Sequence, residues 1–127
     1  MDSPVLVTDE ISAGSAVLRR LDDAEIPVRA ALWSYNEAAG EWRYIVATQL
    51  AEVEGPRSLY ERIQRALSRS PETRDFPIWR LVTVSPKSEV MSLLRRLVGK
   101  LENNEGLSLQ LRGGTPYDGN ILVYRMA

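Results

Sequence analysis

A chain of 127 residues, 44% hydrophobic and 26% charged, is long enough to bury a core of its own and too apolar to be disordered. Its 16 basic and 17 acidic residues leave a formal net charge of -1, which excludes a strong overall field toward nucleic acid or an anionic membrane. Cysteine and histidine are both absent, which excludes disulfides, thiolate nucleophiles, Cys-ligated zinc and any chemistry carried by an imidazole.

The N-terminal stretch Met1 to Thr8 has no basic region and no long apolar run, and no later run approaches the length of a membrane span. A cytoplasmic location without membrane contact is expected. The first helix is predicted to start near Thr8, with Asp9 and Glu10 favourable in its first turn. Ile11, Gly14, Leu18 and Leu21, with Val17 beside them, form one apolar stripe. Gly14 either weakens this helix or lets another backbone come close. The pattern fades at Asp22-Asp23.

Val28 to Tyr35 and Trp42 to Thr48 are β-rich runs on either side of Asn36-Glu37-Ala38-Ala39-Gly40-Glu41, which reads as a hairpin with Gly40 in its turn. Pairing Asn36 with Glu41 sets Tyr35 opposite Trp42 and Trp33 opposite Tyr44. Because strand side chains alternate, Trp33, Tyr35, Trp42 and Tyr44 then share one face, and Ala30, Leu32, Ile45 and Ala47 share the other.

Gly55-Pro56 opens the second helix, with Leu59, Ile63, Ala66 and Leu67 as its apolar stripe and Arg62, Arg65 and Arg69 as a basic stripe beside it. Ile78 to Val84 is apolar on both alternations apart from Arg80 and Thr83, which predicts an interior strand. Ser85-Pro86 is a suitable start for the third helix, which carries Val90, Leu93, Leu94, Leu97 and Leu101. A second hairpin closes the chain, Leu107 to Leu111 against Asn120 to Met126. The order α-β-β-α-β-α-β-β predicts an α+β fold in a single domain over residues 1–127. The expected architecture has two layers: a largely antiparallel sheet of about five strands, with three helices mainly on one face. Leu18-Arg19-Arg20-Leu21 and Leu94-Arg95-Arg96-Leu97 echo each other on helices that lead into hairpins, which raises the idea of an internal repeat.

No glycine-rich phosphate loop and no G-x-S-x-G elbow is present. No catalytic residue, metal site or cofactor is assigned. The aromatic hairpin face of Trp33, Tyr35, Trp42 and Tyr44 is core if helices cover it and otherwise a protein interface or a base-stacking surface. The leading reading is a noncatalytic protein-interaction or assembly module carried by those four residues, with a protein partner or self-association as a homodimer. The alternative partner is nucleic acid, or another anion, held by Arg57, Ser58, Arg62, Arg65 and Arg69, with Arg95 or Arg96 converging on the same surface. A further alternative is a histidine-independent hydrolase or nuclease, which would need Arg112, Tyr117, Asp118 or the pair Glu52 and Glu54 to meet in a cleft.

Overall fold

A computed structural model of the chain describes residues 6, 8–36, 38–98, 107–111 and 119–127. Helix α1 (Thr8–Asp23) buries Gly14, Ala16, Val17, Leu18 and Leu21. It ends in a reversal in which Ile26 N–H donates to Leu21 O and Glu25 N–H to Asp22 O, both at 3.0 Å. That geometry needs a left-handed residue, and Glu25 supplies it at φ 60°.

Strands β1 (Ala30–Asn36) and β2 (Glu41–Ala47) form the hairpin, with Asn36 opposite Glu41, Tyr35 opposite Trp42 and Trp33 opposite Tyr44. Asn36 Oδ1 accepts the Ala39 N–H at 2.9 Å, and Gly40 takes φ 67°. A short helix, α2 (Leu50–Val53), follows, its start held by Thr48 Oγ1 accepting from Leu50 N–H at 3.2 Å. Nothing in the apolar spacing had marked it. Helix α3 (Pro56–Ser68) begins on its proline and buries Leu59, Ile63, Ala66 and Leu67. Thr73 Oγ1 then ties down its last turn by donating to Leu67 O at 2.6 Å.

The predicted strand from Ile78 is shorter than its apolar run. Ile78–Arg80 is a single 3-10 turn, closed by Arg80 N–H to Pro77 O at 2.9 Å, and β3 covers only Leu81–Val84. Pro77 has no N–H for a ladder, so pairing starts late. Helices α2 and α3 lie between β2 and β3, and the crossover returns β3 parallel to β2. Helix α4 (Glu89–Val98) also starts later than Ser85-Pro86 implied, with Ser88 Oγ accepting the Met91 N–H at 3.4 Å. β4 (Leu107–Leu111) and β5 (Gly119–Met126) complete a five-stranded mixed sheet in the order β3-β2-β1-β5-β4.

The expected two layers are three. α1 and α3 cover one sheet face over Ala31, Trp33, Tyr44, Val46 and Tyr124. On the other face α4 contributes Val90, Met91 and Leu94 over Ala30, Leu32, Ile45, Ala47, Ile121 and Val123. The hairpin strands are apolar on both alternations, so one helical layer cannot dehydrate them. A bulge in β5 opposite Ala31 and Leu32 inserts Tyr124. It brings both Tyr124 and Arg125 beneath α1, where Arg125 grips the Asp22 carboxylate with two bonds of 2.9 and 2.8 Å.

The Leu-Arg-Arg-Leu echo is not a structural repeat. α1 and α4 lie on opposite faces, and β1 neighbours β5, so the first strand of one unit meets the second strand of the other. Among the described residues no helix is long and apolar enough to cross a membrane.

Candidate functional site

The hairpin register gathers Trp33, Tyr35, Trp42 and Tyr44 on one face, and that face is roofed by α1 and α3. Trp33 is 1% exposed, Tyr44 0% and Trp42 8%, which leaves only Tyr35 half-buried at the rim. The rings pack edge to face, Trp33 on Tyr44 at 5.2 Å and Tyr35 on Trp42 at 5.5 Å, while Tyr124 stacks on Tyr44 at 6.0 Å. Phe76 closes the cluster against Trp33 and Tyr44 at 5.9 and 5.8 Å.

Three polar tips in this cluster find carbonyls of α1. Trp33 Nε1 donates to Glu10 O at 3.2 Å, Tyr44 Oη to Gly14 O at 2.8 Å and Tyr124 Oη to Ile11 O at 2.6 Å. Burial pushes the Tyr44 hydroxyl pKa well above its ordinary value and that of Tyr124 up to about 12, so at neutral pH both stay protonated donors. The close approach depends on Gly14: a Cβ there would sit 2.7 Å from Trp33 Nε1 and closer still to the Tyr124 hydroxyl. Arg80 locks the rim. Its Nε donates to Trp42 O at 2.9 Å, it pairs with Glu10 at 2.9 Å, and its guanidinium lies 4.9 Å from the centre of the Trp33 ring. The face singled out as an interaction surface is therefore removed from solvent at Trp33, Trp42 and Tyr44.

The arginine stripe of α3 is exposed, and Arg62, Arg65 and Arg69 surround a shallow cavity of about 250 Å³ beside Ala24. Carboxylates intervene. Glu54 pairs with Arg62 and accepts from Ser58 Oγ at 3.4 Å, and Glu61 borders a second cavity together with Arg65. Arg57 lies on the exposed first turn of the same helix. Arg95 and Arg96 do not join this surface. They belong to α4 on the opposite sheet face, where Arg95 donates to Ala127 O at 3.2 Å and to Pro86 O at 2.7 Å.

Glu52 and Glu54 point to different partners, Glu52 accepting from Ser85 Oγ at 2.6 Å while Glu54 faces Arg62, so they form no carboxylate pair. Arg112, Tyr117 and Asp118 lie outside the described residues. Among the described residues no three carboxylates converge as a metal site. A cavity of about 700 Å³ mixes Arg29, Lys87 and Arg95 with Glu52, and Ser92 also lines it.

One feature went unnoticed in the sequence. Trp79 is 70% exposed. It stands on the 3-10 turn between Ile78, which packs against the core, and the locked Arg80. An interior strand would have buried it. The readable signal was Pro77, which disfavours a ladder at this point.

These features define the class: an α+β fold with a mixed sheet covered on both faces and an exposed tryptophan beside one sheet edge. No protein-family model matches the chain, and no match was found among curated proteins or among solved structures.

Proposed function

We propose that this chain is a noncatalytic protein–protein interaction module whose anchor is Trp79. The observation that carries the reading is an indole 70% exposed on a turn whose last residue, Arg80, is tied to Trp42 O and Glu10. Tryptophan is enriched among the residues that dominate binding energy, and a support fixed in advance lowers the entropy lost on docking. Arg80, held by Trp42 O, Glu10 and the Trp33 ring, supplies that support one residue away. Half-buried Phe76 and Ile78 flank the indole in the chain and continue into the core. A binding role also suits the divergent Glu52 and Glu54 and the absence of histidine and cysteine from the sequence.

The test is a pull-down from the native host with nuclease present, comparing the wild-type chain with Trp79→Ala. An exposed side chain contributes little to folding, so the variant should stay within about 0.5 kcal/mol of wild-type stability. A protein partner held by wild type should be lost, because truncating a binding anchor typically costs at least about 2 kcal/mol. Partner capture undiminished by Trp79→Ala would overturn the reading. Capture of nucleic acid, released by salt, would move the function to Arg57, Ser58, Arg62, Arg65 and Arg69.

A further inference from the structure

The two edges of the sheet are built differently. At the β3 edge, Tyr60 Oη donates to Leu81 O at 2.8 Å and accepts from Thr83 N–H at 3.3 Å. Val84 O, one residue on, accepts from Thr48 N–H on the β2 side at 3.0 Å. Residues 81 and 83 therefore face outward, and a side chain of the same molecule fills their hydrogen-bonding row. At the other edge, β4 pairs inward with β5, from Leu107 opposite Val123 to Leu111 opposite Gly119. No described residue pairs with its outer side. An open edge is a template for another strand, and proteins usually blunt it with charge or proline. Leu107-Ser108-Leu109-Gln110-Leu111 contains neither.

We propose that β4 is a self-association edge, at which two copies of this chain pair β4 with β4, antiparallel, about a two-fold axis through Leu109. The sequence pattern selects a second copy. Leu-Ser-Leu-Gln-Leu reads the same in polarity from either end. Two-fold pairing sets Leu109 opposite itself, Leu107 opposite Leu111 of the second copy, and Ser108 opposite its Gln110. Residues directly opposite in an antiparallel pair share a face, so the match holds on both faces at once. Leu107 and Leu109 stand in register with Val123 and Ile121, two residues of the face that α4 covers. The joined sheet then carries both copies of α4 on the same side. A formal net charge of -1 per chain adds almost no repulsion. A foreign strand would meet the same open edge without this built-in pattern match. The contact is isologous and closes on itself, so it yields a dimer rather than a fibre.

The proposal is independent of Trp79, and sedimentation equilibrium on the full chain separates the two. Wild type should show twice the chain mass at high concentration and dissociate on dilution. The double variant Ser108→Lys/Gln110→Lys sets lysine opposite lysine and should be monomeric, and Ser108→Glu/Gln110→Glu should be monomeric for the same reason. An equimolar mixture of the two should restore the doubled mass, which general damage to the fold could not do. Trp79→Ala should dimerise like wild type. A wild-type monomer at every concentration, a dimer unaffected by the charge variants, or a mixture that stays monomeric would each overturn the proposal. If the variants do not fold, hydrogen exchange on wild type decides: Leu107–Leu111 amides should exchange severalfold more slowly at high protein concentration than at low, and unchanged rates overturn it.

Discussion

Helix α1 carries a glycine where propensity favours a side chain, and the turn after it carries a glutamate where the backbone favours glycine. Placing alanine at an exposed Gly14 would gain about 1 kcal/mol of helix propensity. Here the added Cβ would press on Trp33 Nε1 at 2.7 Å and on Tyr124, whose hydroxyl is already committed to Ile11 O. Overpacking of this kind costs about 1–3 kcal/mol and outweighs the gain. Gly14→Ala is therefore expected to lower stability by about 1–2 kcal/mol, read as a lower denaturant midpoint with an unchanged slope. A raised midpoint would mean that α1 does not sit this close to the aromatic cluster. Glu25→Gly should act in the opposite direction. The left-handed conformation at φ 60° costs a non-glycine residue about 1–2 kcal/mol, partly offset by the greater freedom of glycine in the unfolded chain. A gain of about 0.5–1 kcal/mol is expected at this exposed position, and a loss would show that the Glu25 side chain has a role of its own.

At the scale of elements, Tyr60 ties α3 to the edge of β3 through one hydroxyl. Tyr60→Phe removes the partner of Leu81 O and Thr83 N–H while keeping the ring. The expected cost is about 1–3 kcal/mol, the usual penalty for leaving buried backbone groups unpaired. The variant should also associate more strongly with rising concentration, because a second edge is then open. Unchanged thermal unfolding and unchanged association would show that water replaces the hydroxyl without loss. The hairpin and its register, with Asn36 opposite Glu41, match the pairing supposed from the sequence, because Gly40 marks the turn, while its strands run Ala30–Asn36 and Glu41–Ala47 rather than from Val28 and to Thr48. The direction of β3 was not legible. Periodicity describes a strand but not its orientation, and only the helical return through α3 makes it parallel to β2. Ile78–Arg80 misread as strand because apolar content resembles a strand, while a single proline decides where pairing can begin.

At the scale of the whole molecule, the apolar stripe of α4 announced burial but not against which side of the sheet. That choice decided the candidate site. With α1 and α3 on one face and α4 on the other, the aromatic residues became core and the arginines were divided between two surfaces. Among the described residues no carboxylate pairs with Arg57, Arg65 or Arg69 on α3, whereas Arg62 is held by Glu54 and Arg19 by Glu72. Neutralising one phosphate on duplex DNA contributes about -0.9 to the slope of log affinity against log salt, so three free arginines allow a slope no steeper than about -3. Had Arg95 and Arg96 shared that surface, as the nucleic-acid reading required, the limit would have been about -5. Titrating a labelled duplex at several salt concentrations measures this directly. Weak binding with a slope of about -3 or shallower is expected, and Arg65→Ala with Arg69→Ala should remove most of it. A steeper slope would require further cations, first Arg62 and Arg19 on the same side of the sheet, released from Glu54 and Glu72.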